Sequence, residues 1–294
     1  MIVTIIGVGL MGGCMAMDIR KAELSSKIIG VDHNESNLRE ALELGIIDES
    51  VDLELAVEQS DLIILAIPVD AARKLLLDIL DAIPPKATII DLGSSKQGIC
   101  EASESHKNRS QYVACHPIAG TEFSGPSAAH LGLFEHKVMI ICNQNQSKKS
   151  SLVKANEIFK ALNMTIIHMD AEEHDRHIAY VSHLSHITSF TLGLTVLDIE
   201  KDEKNIFNMA GSGFESTVRL AKSSPQMWGP IFRQNSDNLL LAIDAYMEKL
   251  AEFRQVIFEQ KEGSAEALMK EGNEIKRILE GIELNRNGRT KTIN

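Results

Sequence analysis

The sequence predicts a doubly wound α/β domain over residues 1–169 followed by an all-helical domain over residues 170–294. Three observations carry that expectation. An apolar run, Ile2 to Ile6, leads directly into Gly7-Val-Gly9-Leu10-Met11-Gly12, with a helical stretch to about Lys21 and a second apolar run, Lys27 to Val31, behind it. Short, fully apolar runs of the kind buried on both faces of a parallel sheet then alternate with helical patterns as far as Met169. Beyond Met169 no strand-like run occurs.

The first unit reads as strand, glycine turn, helix, strand. In that setting the spacing Gly7-x-Gly9-x-x-Gly12 has a mechanical meaning. The first glycine allows a tight turn, the second lets a pyrophosphate approach the backbone, and the third lets the helix pack close to the strand. The helix N-terminus then offers unpaired N–H groups to phosphate. Leu10 and Met11, inside the spacing, join the three glycines as expected cofactor contacts. Asp32 follows about 20 residues on, where a carboxylate accepts from the adenosine ribose hydroxyls. No Arg stands close behind it, so the dinucleotide expected is NAD in a Rossmann-type domain.

In order, the pattern predicts a helix from Asn34 to Leu44, a strand from Asp61 to Ala66 ended by Pro68, and a helix from Ala71 to Leu80 broken by Pro84-Pro85. A strand from Ala87 to Asp91 leads into Gly93-Ser94-Ser95-Lys96, and one from Gln111 to Cys115 into His116-Pro117. A strand from Lys137 to Ile141, a helix from Leu152 to Leu162 and a strand from Thr165 to Met169 complete the sheet. The helical domain should open with one long helix, Glu172 to Leu197, whose stripe holds Ile178, Val181, Leu184, Ile187, Thr191 and Leu194. Pro230 should start a helix to Phe258, and a third should run from Ser264 to Gly281, before a basic, loosely ordered tail from Arg286 to Asn294. Helices this broadly apolar expose more surface than a small domain buries alone, which predicts a homodimer.

Composition narrows the partners. A formal net charge of −11 argues against nucleic acid and requires any anionic substrate to meet a locally built positive site. No apolar run reaches the length of a membrane span, and the uncharged opening lacks the basic segment of a signal peptide. Cys14, Cys100, Cys115 and Cys142 form no Cys-x-x-Cys pair, so neither a disulfide framework nor structural zinc is expected, and the compartment expected is the cytoplasm.

In an open parallel sheet the ligand lies beyond the carboxyl ends of the strands, where Ser94 and His116 both fall. His116 could take a hydroxyl proton as hydride leaves the same carbon, with Ser94 holding its ring; the alternative is a His capping a strand end. Ser182-His183-Leu-Ser185-His186 places two imidazoles at i,i+3 on one helix face. They read as substrate contacts or as core histidines; a metal site would need further ligands, and none is expected. Arg219 offers a planar fork for a carboxylate, or a surface ion pair. Trp228 reads as a core anchor.

Taken together, Gly7 to Gly13, Asp91-x-Gly-Ser-x-Lys96, His116-Pro-Ile-Ala-Gly-Thr-Glu122, Ser182-His-Leu-x-His186 and Gly213-Phe-x-x-x-x-Arg219 resemble, in that order, the prephenate dehydrogenase family, which includes arogenate dehydrogenases. The resemblance covers nearly the whole chain. It implies a Rossmann domain and a helical dimerisation domain, and NAD-dependent oxidative decarboxylation of prephenate, or of arogenate, on the route to tyrosine. By position, His116 resembles the residue that bonds the substrate 4-hydroxyl, Ser94 its orienting partner, Arg219 the carboxylate clamp, and Glu122, Ser182, His183 and His186 the surrounding cleft. Ser185 departs from a usual Pro, and Val218 from a Thr that often precedes the Arg. Rival readings are a two-domain dehydrogenase of the β-hydroxyacid or imine-reducing kind, and a non-catalytic NAD-sensing module.

Overall fold

The computed structural model describes residues 1–203 and 205–286. The chain forms two compact units, Met1–Asn238 and Leu239–Asn294.

The first unit is built on an eight-stranded sheet of order β3-β2-β1-β4-β5-β6-β7-β8. Its strands are β1 Ile2–Ile6, β2 Lys27–Val31, β3 Glu49–Ser50, β4 Leu62–Leu65, β5 Thr88–Asp91, β6 Tyr112–Pro117, β7 Val138–Cys142 and β8 Thr165–Met169. Their crossovers are α1 Leu10–Lys21, α2 Glu35–Glu43, α3 Leu53–Gln59, α4 Val69–Ala82, α5 Gln97–Ser103 and α6 Lys149–Ala161. Alternate residues serve opposite cores: Leu62 and Ile64 join Val3, Ile5 and Ile90 on one face, and Ile63 and Leu65 join Ile6 and Ile89 on the other. Covered on both faces, these strands read as continuous apolar runs. All pairings are parallel except β6 with β7, where Cys115 stands opposite Ile141. The β6–β7 connection contains no α-helix to carry the chain back across the sheet, so β7 returns antiparallel.

The order reverses at β1, which lies between β2 and β4. The carboxyl ends of β1, β4, β5 and β6 therefore share one edge, and at it gather the glycine turn, the Asp91–Lys96 segment and the segment after His116.

The helices that follow are α7 Ala171–Ile178, α8 Leu184–Glu200, α9 Ser212–Val218, α10 Pro225–Gln234, α11 Ser236–Glu259, α12 Ser264–Gly272 and α13 Ile275–Arg286. Three expectations are corrected here. The single helix expected from Glu172 to Leu197 is interrupted by a π turn, Ala179–His183, which shifts the face presented beyond it. Val181, inside that turn, and Leu194, both on the expected apolar stripe, are exposed in the single chain. The helix expected to begin at Pro230 begins at Pro225, holds Pro230 inside it, and breaks at Asn235 before α11. The third expected helix is two, α12 and α13. The short β3, α3 and α5 fall in stretches too brief and polar for periodicity to show. The tail expected beyond Arg286 lies outside the described residues.

Candidate active site

The glycine turn is shaped as the spacing requires. Gly7 adopts φ +94°, and a Cβ there would meet the Ala66 carbonyl oxygen at 2.4 Å. A Cβ on Gly12 would stand 2.0 Å from the Gly7 carbonyl oxygen, so only glycine lets α1 start this close to β1. Gly9 is different: a Cβ there would meet nothing within 4 Å, which leaves open space in front of the helix end. That end has no side-chain cap and no acidic residue in its first turn, so its N–H groups and positive dipole end remain available to phosphate. Asp32 closes the turn from β2. Its Oδ2 accepts from Val8 N at 3.1 Å and its Oδ1 from Asn34 N at 2.9 Å. Asn37 Nδ2 also donates to Oδ2 at 3.4 Å. A carboxylate has about four acceptor positions, so one remains for a ribose hydroxyl. The residues present fit a dinucleotide.

At the same edge, the segment after β5 rests on a buried charge network. Lys96 is fully buried, bonds the Asp91 carboxylate, and donates to Cys115 O at 2.7 Å. Tyr112 Oη donates to Asp91 Oδ1 at 2.8 Å, and Cys115 N donates to the same oxygen at 3.0 Å. Burial opposes the charge on Lys96, but Asp91 holds its ammonium above the usual range. This network fixes the backbone immediately before His116.

His116 is buried at the end of β6, and its Nδ1 lies 2.8 Å from His174 Nε2. His174 Nδ1 lies 2.7 Å from Asp175 Oδ1. The Asp175 carboxylate is held in turn by Lys96 N at 2.7 Å and Gln97 N at 2.9 Å. Burial first, then His174, Lys96 and His183, hold His116 well below the ordinary imidazole range, so it is neutral near pH 7. The orienting partner expected at Ser94 is therefore corrected: the group on His116 Nδ1 is His174. Ser94 is half-buried, and among the described residues its hydroxyl makes no hydrogen bond.

The π turn brings His183 into the interior, where Nδ1 faces the Asn235 amide at 3.2 Å. Burial lowers its pKa to about 4. His186 Nδ1 donates to Ser182 O at 3.0 Å, and its ring lies flat on Trp228, centroids 3.4 Å apart. Trp228 also meets His183 edge-on at 5.9 Å, and packs with Val69 and Ile231. It is thus the platform between the two histidines and more than a core anchor. His183 Nε2 and Trp228 Nε1 are both buried with no hydrogen-bond partner among the described residues. Arg219 opens a 3₁₀ turn after α9, is 55% exposed, and pairs loosely with Glu122 at 3.8 Å.

Ser94, His116, Glu122, Ser182, His183, His186 and Arg219 all lie in the unit that holds the glycine turn, and direct contacts join Arg219 to Glu122 and His186 to Ser182. Sequence reasoning missed His174, Asp175 and Asn235. The adjacent His174-Asp175 pair at the start of the helical region was the available signal. Among the described residues no group of three His, Cys, Asp or Glu side chains could hold a metal. No described helix is long and apolar enough to cross a membrane.

Residues 15–168 match the family model for the prephenate dehydrogenase nucleotide-binding domain, and residues 170–271 that for the prephenate dehydrogenase dimerization domain. The chain belongs to the prephenate dehydrogenase family. It is 30% identical to the prephenate dehydrogenase of Bacillus subtilis strain 168 over 96% of this chain and 76% of that protein. Identity is 31% to the prephenate dehydrogenase of Lactococcus lactis subsp. cremoris, over 95% of this chain and 77% of that one. Among solved structures, the Aquifex aeolicus prephenate dehydrogenase in complex with hydroxyphenyl propionate and NAD+ superposes with a TM-score of 0.86 at 32% identity, covering 94% of this chain and 97% of that one. Membership of this family accounts for the uncapped helix end beside Asp32.

Proposed function

We propose that the chain catalyses the NAD-dependent oxidative decarboxylation of prephenate to 4-hydroxyphenylpyruvate. The observation that carries the proposal is a neutral, buried His116 whose Nδ1 is occupied, at the sheet edge that also holds the glycine turn. When bound, NAD supplies the hydride acceptor. His116 takes the proton of the substrate 4-hydroxyl as hydride leaves the carbinol carbon, and Ser94 offers a hydroxyl to the same oxygen. The C–C electron pair released with carbon dioxide then makes the ring aromatic, and the new phenolic oxygen recovers the proton. Arg219 holds a substrate carboxylate, and Ser182, His183, His186 and Glu122 line the remainder.

Of the polar groups on the helical side, two are unpaired N–H donors and one is a guanidinium, which suits the oxygens of a keto acid. Arogenate is the second reading, because Glu122 could receive an ammonium group if it left Arg219. Asp32 supports NAD over NADP by repelling a 2′-phosphate. The test is NADH or NADPH formation with prephenate and arogenate in each combination. The expected result is turnover with prephenate and NAD; binding of NAD with no turnover on either substrate would leave an NAD-sensing module.

The functional boundary is proposed at residues 169 and 170, with 1–169 binding NAD and 170–294 serving substrate and dimerisation. Exposed Leu240, Leu241, Leu250, Ile257 and Phe258 on α11 and Ile275, Ile278 and Leu279 on α13 support a second copy as the occupant of this surface. Light scattering should give a dimer mass. Four free, buried thiols are consistent with a cytoplasmic setting.

A further inference from the structure

The protons in the His116–His174–Asp175 chain can be placed by elimination. The Asp175 carboxylate accepts from two backbone N–H groups, so it can only accept from His174, and the proton is on His174 Nδ1. His174 Nε2 is then a lone pair, and His116 Nδ1, 2.8 Å away, must donate to it. That leaves His116 Nε2 bare. One ring orients the next, and the last nitrogen in the row is the one able to accept a proton from a substrate.

We propose that His174, backed by Asp175, is the positioning residue that fixes His116 as the Nδ1–H tautomer and shares the proton that His116 takes. The proposal rests on the reading of His116 as proton acceptor. As the substrate O–H breaks, a bond forms from its hydrogen to His116 Nε2. The His116 Nδ1 proton moves toward His174 Nε2, and positive charge comes to lie beside the Asp175 carboxylate. Hydride leaves with its electron pair to the nicotinamide. When the ring carboxylate departs as carbon dioxide, its bonding pair passes through the ring to the oxygen, which takes the proton back from His116 Nε2. The relay is restored, and the proton it held is the one the phenol keeps.

The surroundings give the relay a reason. His116 faces the Lys96 ammonium, His174 and His183, all of which oppose a cation on its ring. His174 also feels burial and Lys96, but has Asp175 in contact and Asp91 nearby, which favour the cation. Charge is better placed one ring further from the substrate.

His174→Gln tests this. Glutamine can accept from His116 through Oε1 and donate to Asp175 through Nε2, so it keeps the orientation and cannot carry the proton. The expected result is a kcat lower by about 10- to 100-fold, part of the range for a positioned acid–base group, with KM and NADH affinity nearly unchanged. The acid limb of kcat/KM should move to lower pH, because the added proton must then sit on His116 alone. ¹⁵N spectra of the wild-type holoenzyme should show both rings protonated at Nδ1 and bare at Nε2. His174→Phe, which loses the orientation too, should fall further, and if it does not fold the glutamine variant decides. A glutamine variant with wild-type kcat and acid limb, or a His116 ring protonated at Nε2, overturns the relay. His116→Asn separates this failure from that of the underlying reading: normal kcat there removes His116 itself, whereas a dead His116→Asn beside an unaffected His174→Gln removes only the relay.

Discussion

The side-chain amide of Asn235 donates both to the backbone carbonyl of Asp175 at 2.7 Å and to Nδ1 of His183 at 3.2 Å. A carbonyl only accepts, so the atom facing it is the NH₂ group, and His183 Nδ1 must accept from the same group. The His183 proton is therefore on Nε2, the nitrogen left unpaired inside the protein. Asn235 sits at the break between α10 and α11 and thereby ties that break to both the relay and the π turn.

Asn235→Leu keeps the volume and removes both donations. It leaves a buried imidazole nitrogen unsatisfied, at about 1–3 kcal/mol for such a group, while the Asp175 carbonyl keeps its helical donor, Ala179 N. The expected loss in urea denaturation is about 1–3 kcal/mol, together with a raised KM for prephenate. Stability within about 0.5 kcal/mol of wild type, the ordinary spread of surface substitutions, would show that the two contacts contribute nothing.

What the sequence reveals about this site follows from which interactions are local. The glycine turn, Asp32 and the strands are legible because each is specified by spacing within one βαβ unit or by an uninterrupted apolar run. The motif around His116 places it at the sheet edge for the same reason. Its partner is not legible, since His174 is 58 residues away and reaches it only through the docking of α7 against α5. Ser94 is the nearer guess in sequence and lies on the adjacent strand's loop, but His174 occupies the nitrogen. The π turn is invisible to a 3.6-residue period, which is why the pattern reads as one continuous helix across Ala179–His183. Proline at the start of a helix is a sound rule, and here Pro225 satisfies it while Pro230 does not.

Acid should destabilise the fold earlier than carboxylate protonation would. Burial lowers the pKa of His116, His174, His183 and His186 in the folded state, that of His183 to about 4. In the unfolded chain an imidazole titrates near 6.5. Below that pH the unfolded state binds protons that the folded state refuses, so this stability is complete above about pH 6.5 and is lost as pH falls toward the folded values. Each ring contributes a slope of up to about 1.4 kcal/mol per pH unit inside its window. Urea midpoints should be level from pH 8 to 7 and decline from pH 6.5 to 4, with His183→Gln reducing the slope. A flat profile down to pH 5 would rule this out.

Arg219 should be the principal anchor for a substrate carboxylate. The protein carries a formal net charge of −11 and the substrate is a dianion, so binding needs a specific cation. Arg219 is half-exposed, and its only ion-pair partner among the described residues, Glu122, is 3.8 Å away. Such a pair contributes little, and a carboxylate ligand that meets the guanidinium through two parallel hydrogen bonds can displace it at small cost. The exposure also limits what is lost on removal. Hydrogen bonds to charged groups contribute about 1.5–3 kcal/mol, and a tenfold change in affinity is about 1.4 kcal/mol. Arg219→Ala should therefore raise KM for prephenate by roughly ten- to a hundredfold. Arg219→Lys should recover part of this, because it keeps the charge and loses the planar fork. NAD affinity should hold in both variants, since the glycine turn and Asp32 lie elsewhere in the unit. A KM that stays within about twofold of wild type in Arg219→Ala would transfer the anchoring role to the unpaired N–H groups of His183 and Trp228, which Asn235→Leu and Trp228→Phe would then expose.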